Sequence, residues 1–148
     1  MLQIGTKAPY FEAKDENGNV VKLTDFAGKK LVLYFYPKDM TPGCTAEACD
    51  LRDNYQRFLS QGYAILGVSK DSAESHKKFI QKKELPFHLL ADTDCTILKA
   101  YEAWGKKKIF GMESTGTLRT TYVIDENGTI IDAIGKVNTK NHTEQLLK

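Results

Sequence analysis

No apolar stretch in this sequence is long enough to cross a membrane. The longest strongly apolar run is "LVLYFY" at residues 31–36, against the roughly 20 residues a membrane-spanning helix needs. The N-terminus, "MLQIGTKAPYF", lacks a basic segment followed by an apolar one, so no secretory leader is expected. Charge of one sign is not in excess. Twenty-one Lys and Arg face 19 Asp and Glu, a formal net charge of +2, and neither a nucleic acid nor an anionic membrane surface is demanded as partner. There is no long Pro/Ser-rich linker, low-complexity segment or repeat at solenoid spacing. Cysteine is scarce: three residues, an odd number, where a secreted disulfide framework uses an even one. A cytoplasmic location is therefore expected. In a reducing compartment, thiols persist as core fillers, metal ligands or redox groups. Neither Cys-x-x-Cys nor His-Glu-x-x-His occurs.

The 148 residues suffice for one domain, 1–148, and the composition (41% hydrophobic, 27% charged) is that of a soluble globular protein. "KLVLYFYP" (30–37) and "YAILGVS" (63–69) have the β-branched and aromatic character of strands buried on both faces. Between them, residues 42–61 show helical periodicity ending at Gly62. A second helix is expected at 72–84 with Ser72 as N-cap, then a short strand "FHLLAD" and a third helix, "TDCTILKAYEAW", capped by Thr93 or Asp92. "LRTTYVID" and "TIIDAIGKV" form a hairpin about Glu126–Gly128, and "TKNHTEQLLK" a closing helix. "DENG" occurs at 15–18 and again at 125–128, and both copies read as hairpin turns, the first placing a hairpin near the N-terminus. The pattern predicts an α/β fold with a mixed central sheet flanked by helices.

The informative stretch is "YPKDMTPGCTAEACDLRD", Tyr36 to Asp53. Thr41 is a natural N-cap and Pro42 suits the first helical position, so Cys44 falls in the first turn. Unpaired N–H groups and the positive end of the helix dipole there favour thiolate over thiol, and the thiolate is the nucleophile. Counting 100° per residue places Cys44 on an apolar stripe with Ala48, Leu51, Tyr55, Phe58 and Leu59. Cys49 lies roughly 140° away, among Arg52, Asp53 and Gln56. In an intact helix the two Cα atoms are about 9 Å apart, and a disulfide needs about 7 Å or less. Joining Cys44 to Cys49 would require the first turns to melt, and such a bond would be labile rather than structural.

Blander roles compete. Zinc favours four ligands and a narrower Cys pair, and Cys95, His76, His88 and His142 are scattered in sequence, so no metal is expected. Cys95 suits a small core residue, although it too lies early in a helix. Thr41 by itself is a cap, Arg119 between Leu118 and Thr120 is a solvated strand residue, and the lysines at 77–78, 82–83 and 106–108 maintain solubility.

At this point the residues resemble a known family. "YPKDMTPGCTAEAC" is similar to the active-site segment of peroxiredoxins, Pro-x-x-x-Thr/Ser-x-x-Cys, here Pro37, Thr41 and Cys44. A cysteine five residues on, Cys49, resembles the bacterioferritin-comigratory or Q-type subgroup. "GTKAPYF", "YAILGVSKDSAESHKKF", "HLLADTD" and "RTTYVIDENGTI" resemble further blocks of the family in the same order. The resemblance implies a thioredoxin-like fold and a thiol-dependent peroxidase without metal, haem or flavin. It implies Cys44 as peroxidatic nucleophile, Cys49 as resolving thiol, Thr41 and Arg119 as groups that position peroxide, and Pro37 as the residue shaping the pocket. It further implies reduction of hydrogen peroxide and organic hydroperoxides, recycling by thioredoxin or a similar dithiol, and an in-chain disulfide that makes a monomer workable. Cys95 has no counterpart among the family's catalytic cysteines. Two other functions remain open on these residues: a thiol–disulfide oxidoreductase, which the missing Cys-x-x-Cys disfavours, and a non-catalytic redox-sensing or holdase module on the same fold.

Overall fold

In the computed structural model, which describes residues 1–147, a hairpin of β1 (Glu12–Lys14) and β2 (Val20–Lys22) leads through a 3-10 turn into β3 (Lys30–Phe35). Helices α1 (Pro42–Asp53) and α2 (Tyr55–Ser60) precede β4 (Tyr63–Ser69), followed by α3 (Ala73–Lys83), β5 (His88–Ala91) and the short α4 (Thr96–Ala100). A hairpin of β6 (Trp104–Ile109) and β7 (Met112–Thr117) projects before β8 (Thr120–Ile124), β9 (Ile130–Ile134) and α5 (His142–Leu146). The central sheet runs β5-β4-β3-β8-β9, with β3, β4 and β5 parallel and β8 and β9 antiparallel. It is the expected mixed sheet with helices and an N-terminal hairpin.

The middle strand shows why the "LVLYFY" run has no polar alternation. Leu31, Leu33 and Phe35 point into a core shared with α4 and the N-terminal segment. Val32, Tyr34 and Tyr36 point into a second core, with Ala48, Leu51, Phe58, Phe79 and Leu146 from α1, α2, α3 and α5. Both sheet faces are covered, so both side-chain sets are apolar. Packing is tight at Gly67 on β4. A Cβ there would lie 2.6 Å from Leu89 Cδ2 and 2.8 Å from Tyr34 Cζ. Gly67→Ala is expected to destabilise the fold by about 1–3 kcal/mol through overpacking, read as a lower urea midpoint at unchanged slope; an unchanged midpoint would refute this close approach.

Both Asp-Glu-Asn-Gly strings are turns of one construction. Asp15 Oδ1 accepts from the N–H groups of Asn17 and Asn19, and Asp125 Oδ1 from those of Asn127 and Thr129. Gly18 and Gly128 close them at φ +80° and +86°. Ser72 caps α3 as expected, its Oγ accepting from Ser75 N at 3.1 Å.

Other expectations are corrected. The helix expected over 42–61 is two helices: Asn54 leaves helical geometry, and its side-chain amide donates to the Asp50 carbonyl, a local alternative to the helical ladder. The break shifts the facing, so Leu59, assigned to the apolar stripe, is exposed. The third helix is shorter than expected and does not begin at Thr93. Its N-cap position is Cys95, at φ +61°, while the Asp92 carboxylate reaches past it to accept from the N–H groups of Ile97 and Leu98. Trp104, taken as the end of that helix, opens β6 instead. Lys106 and Lys108 are exposed on the β6–β7 hairpin, which was not anticipated. The closing helix has five residues, and Lys148 lies outside the described residues. Among the described residues, no helix is long and apolar enough to cross a membrane.

Candidate active site

β3 ends at Phe35, beside the carboxyl end of β4, where α/β sheets with parallel strands place their ligands. The chain continues through Tyr36 and the half-buried Pro37 into a loop that side chains pin firmly. Tyr36 OH donates to Asp39 Oδ1 at 2.6 Å, and Ser75 Oγ to Asp39 Oδ2 at 2.8 Å. His76 Nδ1 lies 2.7 Å from that second oxygen, and Asp39 N donates to Asp71 Oδ2 at 2.8 Å. This loop delivers Thr41 in extended geometry (φ −80°, ψ 154°) and Pro42 at the first helical position, as the local sequence dictates. Cys44 follows in the first turn and is buried at 1% exposure beneath the second core.

The Thr41 side chain departs from its expected use. Its hydroxyl donates to the Lys38 carbonyl at 2.8 Å and makes no capping bond, so Thr41 holds the N-cap position while its side chain tightens the loop.

Arg119 is not the solvated strand residue that its neighbours implied. It precedes β8, and its side chain turns inward between α1 and the sheet. One terminal nitrogen (NH2) donates to Cys44 Sγ at 3.2 Å, and the other (NH1) to Glu47 Oε1 at 2.7 Å. Burial works against the guanidinium charge, but the Glu47 and Cys44 beside it outweigh that, and its pKa is raised. The structure therefore brings together Thr41, Cys44 and Arg119, with Pro37 two residues beyond the strand end. Cys49 is half-buried further along α1. All three cysteines are free thiols and the helix between the first two is unbroken.

The histidines, scattered in sequence, gather beside carboxylates rather than cysteines. Asp39, Asp71 and His76 form one group and Asp15, Glu16 and His88 another, each with ligand atoms within 4.8 Å of one another. Their carboxylates already accept hydrogen bonds, including Leu89 N on Glu16 and Ser69 Oγ on Asp71. A cavity of about 450 Å³ lies at the far end of β3 between Tyr10, Phe26, Leu31 and Glu126, away from the sulfur.

A family model described as AhpC/TSA matches residues 4–133. Peroxiredoxin Bcp of Bacillus subtilis is 48% identical over 147 residues, covering 99% of this chain and 94% of that protein. Peroxiredoxin Bcp of Escherichia coli K12 is 40% identical over 146 residues, with 99% and 94% covered. The chain belongs to the AhpC/TSA family. Among solved structures, a cysteine-to-serine mutant of Xylella fastidiosa PrxQ superposes with a TM-score of 0.92 at 30% identity, over 99% of this chain and 94% of that one. Xanthomonas campestris peroxiredoxin Q gives 0.87 at 35%, over 93% and 87%. The fold is thus the thioredoxin-like peroxiredoxin fold, and the protein is a peroxiredoxin of the Bcp or Q type, a thiol-dependent peroxidase.

Three residues of this peroxiredoxin's site escaped sequence reasoning. Glu47 lies three positions after Cys44, a spacing that puts both on one helix face and could have found it. It is fully buried, and burial pushes its carboxyl up to about 7 even though Arg119 pulls the other way. His142 on α5 has no signal in the sequence. It is fully buried against Glu47, and burial lowers its basicity below the ordinary imidazole value. Tyr34 on β3 carries a buried hydroxyl without a hydrogen-bond partner among the described residues. Burial first, then the charges of Glu47 and Cys44, push its ionisation well above the ordinary phenol value.

Proposed function

We propose that this peroxiredoxin reduces hydrogen peroxide and organic hydroperoxides through Cys44, with Cys49 as resolving thiol. Support rests chiefly on the 3.2 Å contact between the Arg119 guanidinium and the Cys44 sulfur at a helix N-terminus. A cation and unpaired N–H groups stabilise a thiolate there. The thiolate attacks one peroxide oxygen, the S–O bond forms as O–O breaks, and the departing alkoxide or hydroxide takes a proton. Charge moves from sulfur to the leaving oxygen, so Arg119 and the first-turn N–H groups, held beside that path, stabilise the transition state. Thr41 and Pro37 form the loop wall beside the sulfur, and the Thr41–Lys38 bond keeps that wall in place.

The resulting sulfenic acid condenses with the Cys49 thiol, releasing water and forming a disulfide. With α1 intact the two Cα atoms are about 9 Å apart, so its first turns unwind at this step, and the buried Cys44 moves outward. A second dithiol, thioredoxin or a similar protein, then reduces the exposed disulfide by exchange. An in-chain disulfide needs no second subunit, and the protein works as a monomer of one thioredoxin-like domain, residues 1–148, in the cytoplasm. No cofactor enters these steps.

Solved structures of Xanthomonas campestris bacterioferritin comigratory protein in trapped intermediate and ligand complexes bear on alkyl peroxide reduction by that protein, and the same substrate class suits the site here. The test is oxidation with one equivalent of hydrogen peroxide followed by peptide mapping. A Cys44–Cys49 disulfide accompanied by loss of helical circular dichroism is expected. Cys49→Ser should complete one turnover and then fail to recycle with thioredoxin. Unchanged multiple turnover in that variant would reassign the resolving thiol, with Cys95 the remaining candidate.

A further inference from the structure

Glu47 reaches Arg119 with one oxygen only. The other, Oε2, is buried without a hydrogen-bond partner among the described residues, and it faces His142 Nε2 at 3.5 Å. The protonation of His142 follows from its surroundings. Gln145 Nε2 donates to the Lys136 carbonyl, while Gln145 Oε1 accepts from Asn138 N, so the orientation of that amide is settled. Oε1 also meets His142 Nδ1 at 2.8 Å and can only accept, so Nδ1 carries a proton. In a neutral ring, Nε2 is then an acceptor with a single lone pair, lying 2.8 Å from the Thr121 hydroxyl and 3.5 Å from Glu47 Oε2. An ionised Glu47 would leave two acceptors, Oε2 and Nε2, facing each other in a dry site. One added proton relieves the conflict.

We infer that Glu47 and His142 are positioning residues that hold one proton between them, on Glu47 Oε2, and that this proton reserves the positive charge of Arg119 for the Cys44 sulfur and the peroxide. With Glu47 neutral, the cluster of Cys44 thiolate, Arg119 and Glu47 carries no net charge. When the proton leaves, a second negative charge competes for the same guanidinium and opposes both the thiolate and the developing negative charge of the leaving oxygen. The other ionisable groups facing this pair do not remove the effect. Asp50, on α1, has a carboxylate bound to Thr143 N, and its charge favours the proton on either partner. Tyr34, from β3, stays a neutral phenol. Arg119, from the segment before β8, stays a cation. Burial raises Glu47 to about 7 and lowers His142, which agrees with the proton residing on the carboxyl.

The inference builds on Cys44 and Arg119 acting as proposed above, but its physical core is testable without peroxide. Infrared difference spectra of the reduced protein should show a protonated-carboxyl band at mildly acidic pH that fades as pH rises through about 7 and is missing in Glu47→Gln. Stopped-flow reaction with hydrogen peroxide, from about pH 5.5 to 9, gives the rate, and the thiolate ultraviolet absorbance gives the fraction of ionised Cys44 over the same range. The rate per thiolate should fall about tenfold as Glu47 ionises. In Glu47→Gln it should become independent of pH, because the amide supplies both an acceptor for Arg119 and a permanent donor toward His142. Glu47→Ala, which removes the acceptor as well, should be slower at every pH, separating a structural role from a protonic one. A wild-type profile flat in rate per thiolate, or no carboxyl band, overturns the inference. Both measurements stand on the wild type alone should a variant fail to fold. A band present with no peroxide reaction at all would leave the shared proton intact and sink the peroxidatic assignment instead.

Discussion

Cys44→Ser is expected to eliminate the rapid reaction of the reduced protein with hydrogen peroxide, a loss of at least about 10⁴-fold in second-order rate constant. The substitution is close to isosteric at a residue that is 1% exposed, so packing against Tyr34, Tyr36 and Ala48 should survive. What disappears is the sulfur that the Arg119 guanidinium contacts at the start of α1. A serine hydroxyl 3.2 Å from the same guanidinium would remain protonated, and oxygen attacks peroxide oxygen poorly. Stopped-flow fluorescence over the first turnover, with circular dichroism to check folding, reads the outcome. A surviving fast phase would shift the nucleophile to Cys49 or Cys95. Cys95 is the weaker of these on electrostatic grounds, since burial, followed by the Asp92 charge, raises its thiol pKa despite Lys99 and Lys70.

The second large effect is at Arg119. Arg119→Met keeps the aliphatic length that packs between α1 and the sheet and removes the donor to the sulfur. The first step should slow by about 10²–10³-fold, the usual cost of deleting one preorganised donor at a site of developing charge. A complication arises from Glu47, which loses its only hydrogen-bond partner among the described residues. Its carboxyl is already balanced near neutrality by burial, so it should respond by taking a proton, and the fold should weaken rather than collapse. The double variant Arg119→Met/Glu47→Gln separates the two consequences: stability should recover while the rate does not. If the single variant reacts with peroxide at the wild-type rate and its Cys44 thiolate titrates as in the wild type, the contact of Arg119 with the sulfur has no catalytic role.

The proposed mechanism asks loop and helix to cooperate. The Cys44 sulfur is held by burial, by Arg119 and by the pinned loop of Tyr36, Asp39 and Thr41, and on that mechanism it would have to leave all of these to meet Cys49. Interactions that make the folded site reactive would then also delay resolution and lengthen the lifetime of the sulfenic acid, during which a second peroxide can oxidise it further.

What was legible in the sequence was local. Within "TPGCTAEAC", helix geometry alone put Cys44 in the first turn, placed Cys49 on another face and separated the two thiols beyond bonding distance. These are relations between residues a few positions apart, and the periodicity of the backbone dictates them wherever the helix lies. The same is true of the Ser72 cap, the two Asp-Glu-Asn-Gly turns and the doubly buried β3. Local rules failed where a side chain had a competing partner, as Asn54 did in breaking the helix, whereas Asp92, one of the two caps expected for the third helix, does accept from the first N–H groups of α4.

Apart from what the family resemblance implied for Arg119, it was the tertiary structure that decided which charge meets the sulfur. Arg119 is 75 residues from Cys44 and looks like an outward strand residue until the β6–β7 hairpin and β8 bring it under α1. Glu47 was not singled out by the sequence, and His142 stood there only as one of three scattered histidines, until α5 docks and sets the two side by side. Their chemistry depends on burial, because only a site stripped of water makes an unpaired carboxylate oxygen hold its proton and a single guanidinium outweigh the solvent. Burial is a property of the assembled sheet and helices, not of any one segment.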